Sequence, residues 1–417
     1  MSGTNGKILL LTLILILFAS MAWADKGRIY GKIYTDRGEV LEGVIRWDKN
    51  EVCWEDMIDG TKERERPKDE RRSKRKKYKD GSSKVRLFGF TVFGDDNNWY
   101  SSTSQAAISF GFIKRLTVDG NNSAEILLKS GEEVLIQSGS TDLGTAVREI
   151  IIETDDEGEL ELEWDDIEYI EFMDGGDVKS SMGVRIYGTV TTDRAGEYTG
   201  WICWDMDEAL TDDIIDGRDR RRKRKIRFEK IKSIEKISSQ ASEVVTKDGK
   251  SFRLDDSNDV DSGNRGITVS DSKMGRVIVE WDEFEKLEIL DPPSSAYKHY
   301  NDFDGGERLF GTVYDEDGEK YTGIIRWDND EEYGWEILDG EYRGVDFDIT
   351  MESIKSIEKL SRRSSRITLF DGRDFRLRES NDVNDDNKGI YVYPDGLNGD
   401  EVVLEWEDFD HVEFKEN

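Results

Sequence analysis

The chain has 417 residues, 36% of them charged, and 92 acidic side chains against 60 Lys and Arg leave a formal net charge of -32. Two Cys and two His exclude a Cys-rich zinc framework, a dense disulfide scaffold and a multi-histidine metal centre, and the acidity repels the phosphate backbone of a nucleic acid. Charge alone would suggest disorder, but 10% aromatics, only 4 Pro and long stretches alternating apolar with polar residues predict half-buried strands and a folded chain.

At the N-terminus Lys7 precedes an apolar run over 8–18, and Ala22-Trp23-Ala24 forms an A-x-A-like cleavage site before Asp25. Residues 1–24 read as a secretory signal peptide, which places the rest in a secreted or periplasmic setting. The alternative is a retained anchor, for which residues 8–24 are at the lower edge of spanning length. In an oxidising compartment Cys53 and Cys203 are either a disulfide between two parts of the chain or two buried thiols.

Three segments then open alike: Arg28-Ile29-Tyr30-Gly31, Arg185-Ile186-Tyr187-Gly188 and Arg308-Leu309-Phe310-Gly311. Each continues for twelve residues to a second Gly (Gly43, Gly200, Gly323), four to a Trp (Trp47, Trp204, Trp327) and thirteen to an Asp-Gly (Gly60, Gly217, Gly340). Ungapped spacing three times over predicts three tandem repeat units, 28–174, 185–290 and 308–415, separated near Gly175-Gly176 and Asp291-Pro292-Pro293. A second element, an aromatic or Met with apolar residues at +3 and +6, recurs six times: Phe110/Ile113/Leu116, Trp164/Ile167/Ile170, Phe228/Ile231/Ile234, Trp281/Phe284/Leu287, Met351/Ile354/Ile357 and Trp406/Phe409/Val412. It predicts six half-units, each with a single helical or 3₁₀ turn running into a strand. β-branched runs closed by Asp-Gly, such as Ile367-Thr368-Leu369-Phe370 before Asp371-Gly372, are hairpin signals, and no stretch keeps a helical period for three turns. The expected class is all-β.

In the third unit Gly311-Thr312-Val313, Gly318, Tyr321-Thr322-Gly323-Ile324-Ile325 and the Met351/Ile354/Ile357 element follow one another in an order that resembles SH3-like and Sm-like small barrels, the PRC-barrel kind included. The resemblance implies two small SH3-like β-barrel half-units per unit and carries no function. The runner-up architecture merges each pair of halves into one β-sandwich.

Two kinds of insertion interrupt the pattern. From the Asp-Gly to the next element the count is 14 in units two and three and 53 in unit one, a 39-residue insertion. Its start, 62–79, holds 11 basic and 4 acidic residues, and the matching loop of unit two, 218–227, holds 8 and 1. Arg71, Arg72, Lys74, Arg75, Lys76 and Lys77, with Arg220, Arg221, Arg222, Lys223, Arg224 and Lys225, are candidates for contact with a peripheral anionic surface or another polyanion. The plainer reading folds both loops onto the protein's own acidic body. The second interruption is an Asn/Asp loop. Asp382, Asn384 and Asp386 stand at the 1, 3, 5 spacing of calcium loops and Asp259 and Asp261 occupy the matching positions in unit two, although no Glu follows at the twelfth position and such residues also serve plain turns. No cofactor is required, and calcium is the one the sequence suggests. Trp99 and Tyr100, in the unit-one insertion, are candidates for an exposed aromatic surface.

No nucleophile-histidine arrangement or phosphate loop is recognisable, so the expected protein is not an enzyme. The reading is a non-catalytic secreted or periplasmic repeat protein, an envelope-associated interaction or scaffold protein whose partner is a protein or other envelope component and not a nucleic acid. A calcium-dependent glycan-binding or adhesion module is the alternative, and a hydrolase built on paired carboxylates is third. The oligomeric state is left open.

Overall fold

The computed structural model describes residues 23–63, 85–87, 90–92, 103–137, 141–176, 178–304 and 306–416. The candidates Arg71, Arg72, Lys74, Arg75, Lys76, Lys77, Trp99 and Tyr100, and all of the leader before Trp23, lie outside the described residues. The described structure is all-β, strand joined by turns and short 3₁₀ segments. Alternation along the chain becomes alternation of environment: in Tyr30–Thr35, Gly31, Ile33 and Thr35 are buried while Tyr30, Lys32 and Tyr34 are half-exposed.

Among the described residues three large antiparallel sheets form. The first has ten strands in the order Gly158–Leu162, Ile150–Thr154, Val40–Trp47, Tyr30–Thr35, Ile167–Phe172, Ile113–Val118, Ser123–Leu128, Glu133–Gln137, Met57–Glu63, Thr103–Ser109. The second has twelve, in the order Arg222–Arg227, Ile214–Asp219, Ser251–Asp255, Ala241–Thr246, Ile231–Ser238, Phe284–Ile289, Tyr187–Thr192, Glu197–Cys203, Ile267–Asp271, Gly275–Val279, Val345–Thr350, Ile337–Tyr342. The third has eight: Asp374–Leu377, Ser364–Leu369, Ile354–Ser361, Phe409–Phe414, Phe310–Asp315, Lys320–Arg326, Ile390–Tyr393, Val402–Leu404.

The closed barrels implied by the resemblance do not form. Strands expected in separate halves share one sheet, because Tyr30–Thr35 pairs with Val40–Trp47 on one side and with the distant Ile167–Phe172 on the other. Closure also requires the outermost strands of a sheet to meet. In the second sheet Gly275–Val279 instead pairs with Val345–Thr350, register Val277 to Phe347, and so joins two segments into one sheet. The unit-one insertion is the long connection of a hairpin, since Met57–Glu63 pairs directly with Thr103–Ser109.

The recurrent Gly, Trp and 3₁₀ positions have packing causes. Gly31 faces Gly43 across its hairpin, and a Cβ on them would lie 2.5 Å from the Glu171 carbonyl oxygen and 2.0 Å from that of Glu153. Gly188, Gly200, Gly311 and Gly323 meet neighbouring carbonyls within 2.5 Å in the same way, so these strands approach each other only where Cβ is missing. Trp47 and Trp164, Trp204 and Trp281, and Trp327 and Trp406 meet edge-on, with ring centroids 6.1, 6.3 and 6.3 Å apart. The 3₁₀ turns Phe110–Phe112, Trp164–Asp166, Phe228–Lys230 and Met351–Ser353 each run into a strand whose first residue is the apolar +3 position.

Segments far apart in sequence are locked together. One apolar cluster spans residues 186–414, and another combines the first sheet with Tyr300, Phe303 and Trp335. The stretch after Pro293, linker-like in composition, is therefore packed down: the Tyr300 hydroxyl donates to the Ile113 carbonyl at 3.0 Å. Phe303 lies over Gly111, where a Cβ would stand 2.3 Å from the ring. At the junction of all three segments the buried Arg276 guanidinium donates to both carboxylate oxygens of Asp59, at 2.8 and 3.0 Å, and to Asp348 at 2.7 Å. Arg185 adds an ion pair to Glu55 at 3.2 Å, and Lys62 binds Glu336.

Candidate functional site

Each of Trp47, Trp204 and Trp327 opens a tight turn of the form Trp-Asp-x-x-Glu. Reciprocal backbone bonds of 2.8–3.0 Å tie Trp47 to Glu51, Trp204 to Glu208 and Trp327 to Glu331. The two residues after each Trp take left-handed backbone angles, with Asp48, Asp205 and Asp328 at φ 42°, 52° and 46°. Asp tolerates this region better than most residues. The turn buries each of these Asp side chains completely, at 0% exposed.

Asp142, Asp259 and Asp382 arrive from later loops by the same two bonds each time. The Trp indole N–H donates to their main-chain oxygens at 2.8, 2.9 and 3.0 Å. Their carboxylates accept the backbone N–H of Asp59, Asp216 and Asp339, the acids of the Asp-Gly positions, at 2.9, 2.7 and 2.9 Å. Carboxylate oxygens thereby converge within 4.8 Å of one another in three groups: Asp48, Glu51 and Asp142; Asp205, Glu208 and Asp259; Asp328, Asp330 and Glu331.

The charges in these groups are unequally met. Arg148 holds Asp48 through its backbone N–H at 2.6 Å and its guanidinium at 3.0–3.2 Å, and it also reaches Asp207 at 2.8 Å. Arg265 holds Asp205 at 3.0 Å and Asp207 at 3.1 Å. At the matching position Lys388 gives Asp328 only its backbone N–H, and its ammonium turns to the Asp386 carbonyl at 2.6 Å. Oε2 of Glu51, of Glu208 and of Glu331 accepts no hydrogen bond among the described residues. Burial, and after it the neighbouring acids, raises the proton affinity of all three. Glu51 and Glu331 stand well above the usual carboxylate range, and Glu208 is pushed up to about 10. Burial likewise lifts Asp142 and Asp382, and takes Asp259 to about 6. Two such charges about 4 Å apart repel by about 4 kcal/mol at an effective dielectric near 20. Groups of this kind hold either protons or a hard cation.

Asp259 thus enters a carboxylate group, though not through the 1, 3, 5 spacing, while Asp382 stands beside the third group without being one of its converging acids. Asn384 accepts the Asp386 backbone N–H at 2.7 Å and Asp261 that of Gly263 at 2.8 Å, so both cap their own turns, and Asp386 is exposed. The partners that sequence reasoning missed are Asp48, Glu51, Asp142, Asp205, Glu208, Asp328, Asp330 and Glu331. Their signal was present: an Asp one residue and a Glu four residues after each of Trp47, Trp204 and Trp327.

Positions 218–227, expected as a loop, form the tip and outer strand of a hairpin, Ile214–Asp219 paired with Arg222–Arg227. Arg220 and Arg221, at φ 50° and 71°, make the turn. Three of its cations fold back: Arg218 to Asp256 at 2.8 Å, Arg224 to Asp219 at 3.0 Å and Arg227 to Asp212 at 2.6 Å. Arg220, Arg221, Arg222, Lys223 and Lys225 are exposed and make no ion pair among the described residues. Cys53 and Cys203 are free thiols lining one cavity of about 40 Å³ together with Arg185, Trp201 and Arg276. Burial raises the pKa of both thiols.

No family profile, curated protein or solved structure matches the chain.

Proposed function

We propose that the chain is an exported, non-catalytic scaffold of the cell envelope, made of three tandem units, 28–174, 185–290 and 308–415, that docks on an anionic envelope surface through the 214–227 hairpin. The observation that carries this reading is the set of five exposed, unpaired cations at Arg220, Arg221, Arg222, Lys223 and Lys225, on a chain whose formal net charge is -32. Lipid phosphates attract such a row at short range, while the acidic surface around it is repelled. The buried Arg276, Arg185 and Lys62 ion pairs support a scaffold role, because they fix the segments relative to one another. Cell fractionation tests the reading: the chain is expected in the envelope fraction without residues 1–24, released by high salt. A full-length chain recovered from the cytosol would sink it.

A further inference from the structure

We propose that the three carboxylate groups are divalent-cation sites and that the ion they take is calcium. This inference is independent of envelope docking.

The donor set selects the ion. Every converging atom is a carboxylate oxygen, the ligand of hard cations, with no imidazole or thiolate to favour zinc or copper. Within each group the oxygens lie no more than 4.8 Å apart, close enough for one calcium ion, whose bonds to oxygen are about 2.4 Å, to touch all three.

A second observation points to a ligand. Glu331 is 6% exposed and Glu51 4%, yet Oε2 of each accepts no hydrogen bond among the described residues, and Oε2 of Glu208 is left the same way. A buried carboxylate oxygen without a donor is costly unless something charged meets it. Here the same atom is unmet at three places built by the same turn, in which the first Asp carboxylate is bonded to Arg148, Arg265 or the Lys388 backbone and the indole N–H to Asp142, Asp259 or Asp382.

A guanidinium rests on Asp48 and on Asp205, and Lys388 gives Asp328 its backbone N–H. Near the third group Lys62 is held by Glu336 and by the Asp330 carbonyl at 2.8 Å. Asp382 is a further acid whose charge acts on Glu331. Water supplies the remaining ligands of a six- to eight-coordinate ion.

Terbium tests this, because it substitutes for calcium and emits when a nearby indole is excited, and Trp47, Trp204 and Trp327 bond the loops that carry Asp142, Asp259 and Asp382. The purified protein, stripped with chelator and titrated with terbium, is expected to show tryptophan-sensitised emission that calcium displaces and sodium at equal ionic strength does not. Calorimetric titration with calcium is expected to show up to three sites. Glu331→Gln keeps the side-chain shape and removes the charge, so it is expected to abolish one site while its melting temperature in chelator equals or exceeds that of the parent. Absence of calcium-displaceable emission and of calorimetric binding in the parent protein overturns the proposal whatever the variants do. A folded Glu331→Gln protein that titrates like the parent overturns the assignment of Asp328, Asp330 and Glu331 as a site.

Discussion

Replacing Arg276 by Met removes a guanidinium that ties all three segments together. The side chain keeps a similar apolar reach, but three hydrogen bonds of 2.7–3.0 Å are lost, and Asp59 and Asp348 are left 4% and 6% exposed without that counter-charge. Breaking a buried ion pair from one side costs about 3–5 kcal/mol. For a chain of this length melting as a unit, that lowers the midpoint by on the order of 5 °C. The loss is also predicted to depend on pH. Burial lifts the Asp59 carboxyl to about 6 even against the pull of Arg276, so the folded state holds this proton more tightly than the unfolded chain, where Asp titrates near about 4. Acidification through that window stabilises the fold, and without Arg276 the folded pKa rises further. The deficit of Arg276→Met is therefore largest above neutrality and shrinks as the pH is lowered towards 6, below which Asp59 is protonated in both proteins. Differential scanning calorimetry of parent and variant at neutral and mildly acidic pH measures both effects. A midpoint change under about 1 °C, or a deficit that grows on acidification, would refute the reasoning.

Phe303→Ala empties the pocket over Gly111 and is expected to cost about 3–5 kcal/mol, seen as protease cleavage appearing in the 291–307 strap before the sheets are cut. Gly43→Ala places a methyl group 2.0 Å from the Glu153 carbonyl oxygen and should destabilise by about 3 kcal/mol in urea titration, with Gly38→Ala less harmful because nothing lies within 4 Å of its Cβ position. Alkylation followed by mass spectrometry is expected to leave Cys53, 1% exposed, unmodified until the protein is denatured, and then to label both thiols; an intact disulfide in the native protein would contradict this.

Much of the fold was legible because its marks are enforced by packing. The paired glycines stand where backbones pass too closely for a Cβ, the six recurrent Trp and Phe/Met positions fill the centres of the sheets, and the +3 apolar residues begin strands. What local patterning could not say is which strands pair. Nothing in Gly275–Val279 announces that its outer edge belongs to Val345–Thr350, nor in Tyr30–Thr35 that its second neighbour is Ile167–Phe172, and from those two pairings the closed barrels fail. The site was half-read for a related reason. The Asn/Asp loops drew attention to Asp382 and Asp259, but a spacing rule for one loop is blind to partners brought by another: Asp205 and Glu208 converge on Asp259 only after the chain has folded back, and Asp382 ends beside Glu331 rather than among the converging oxygens. Trp54, Trp201 and Trp335 lie outside the repeat pattern and serve contacts between segments: Trp54 meets Tyr300 at a tilt, ring centroids 4.7 Å apart, and the Trp201 indole donates to the Ala296 carbonyl at 3.0 Å.

The central claim is that the protein meets an anionic surface through one basic hairpin. Flotation of the purified protein with vesicles of anionic phospholipid, beside vesicles of zwitterionic lipid, tests it most directly when run with the variant carrying Ser at positions 220, 221, 222, 223 and 225. The account predicts that the parent floats with anionic vesicles at low salt, is released as salt screens the contact, and ignores zwitterionic vesicles, while the variant stays at the bottom with an unchanged melting temperature. Equal flotation of parent and variant, or no flotation of the parent with anionic lipid at low salt, would contradict it.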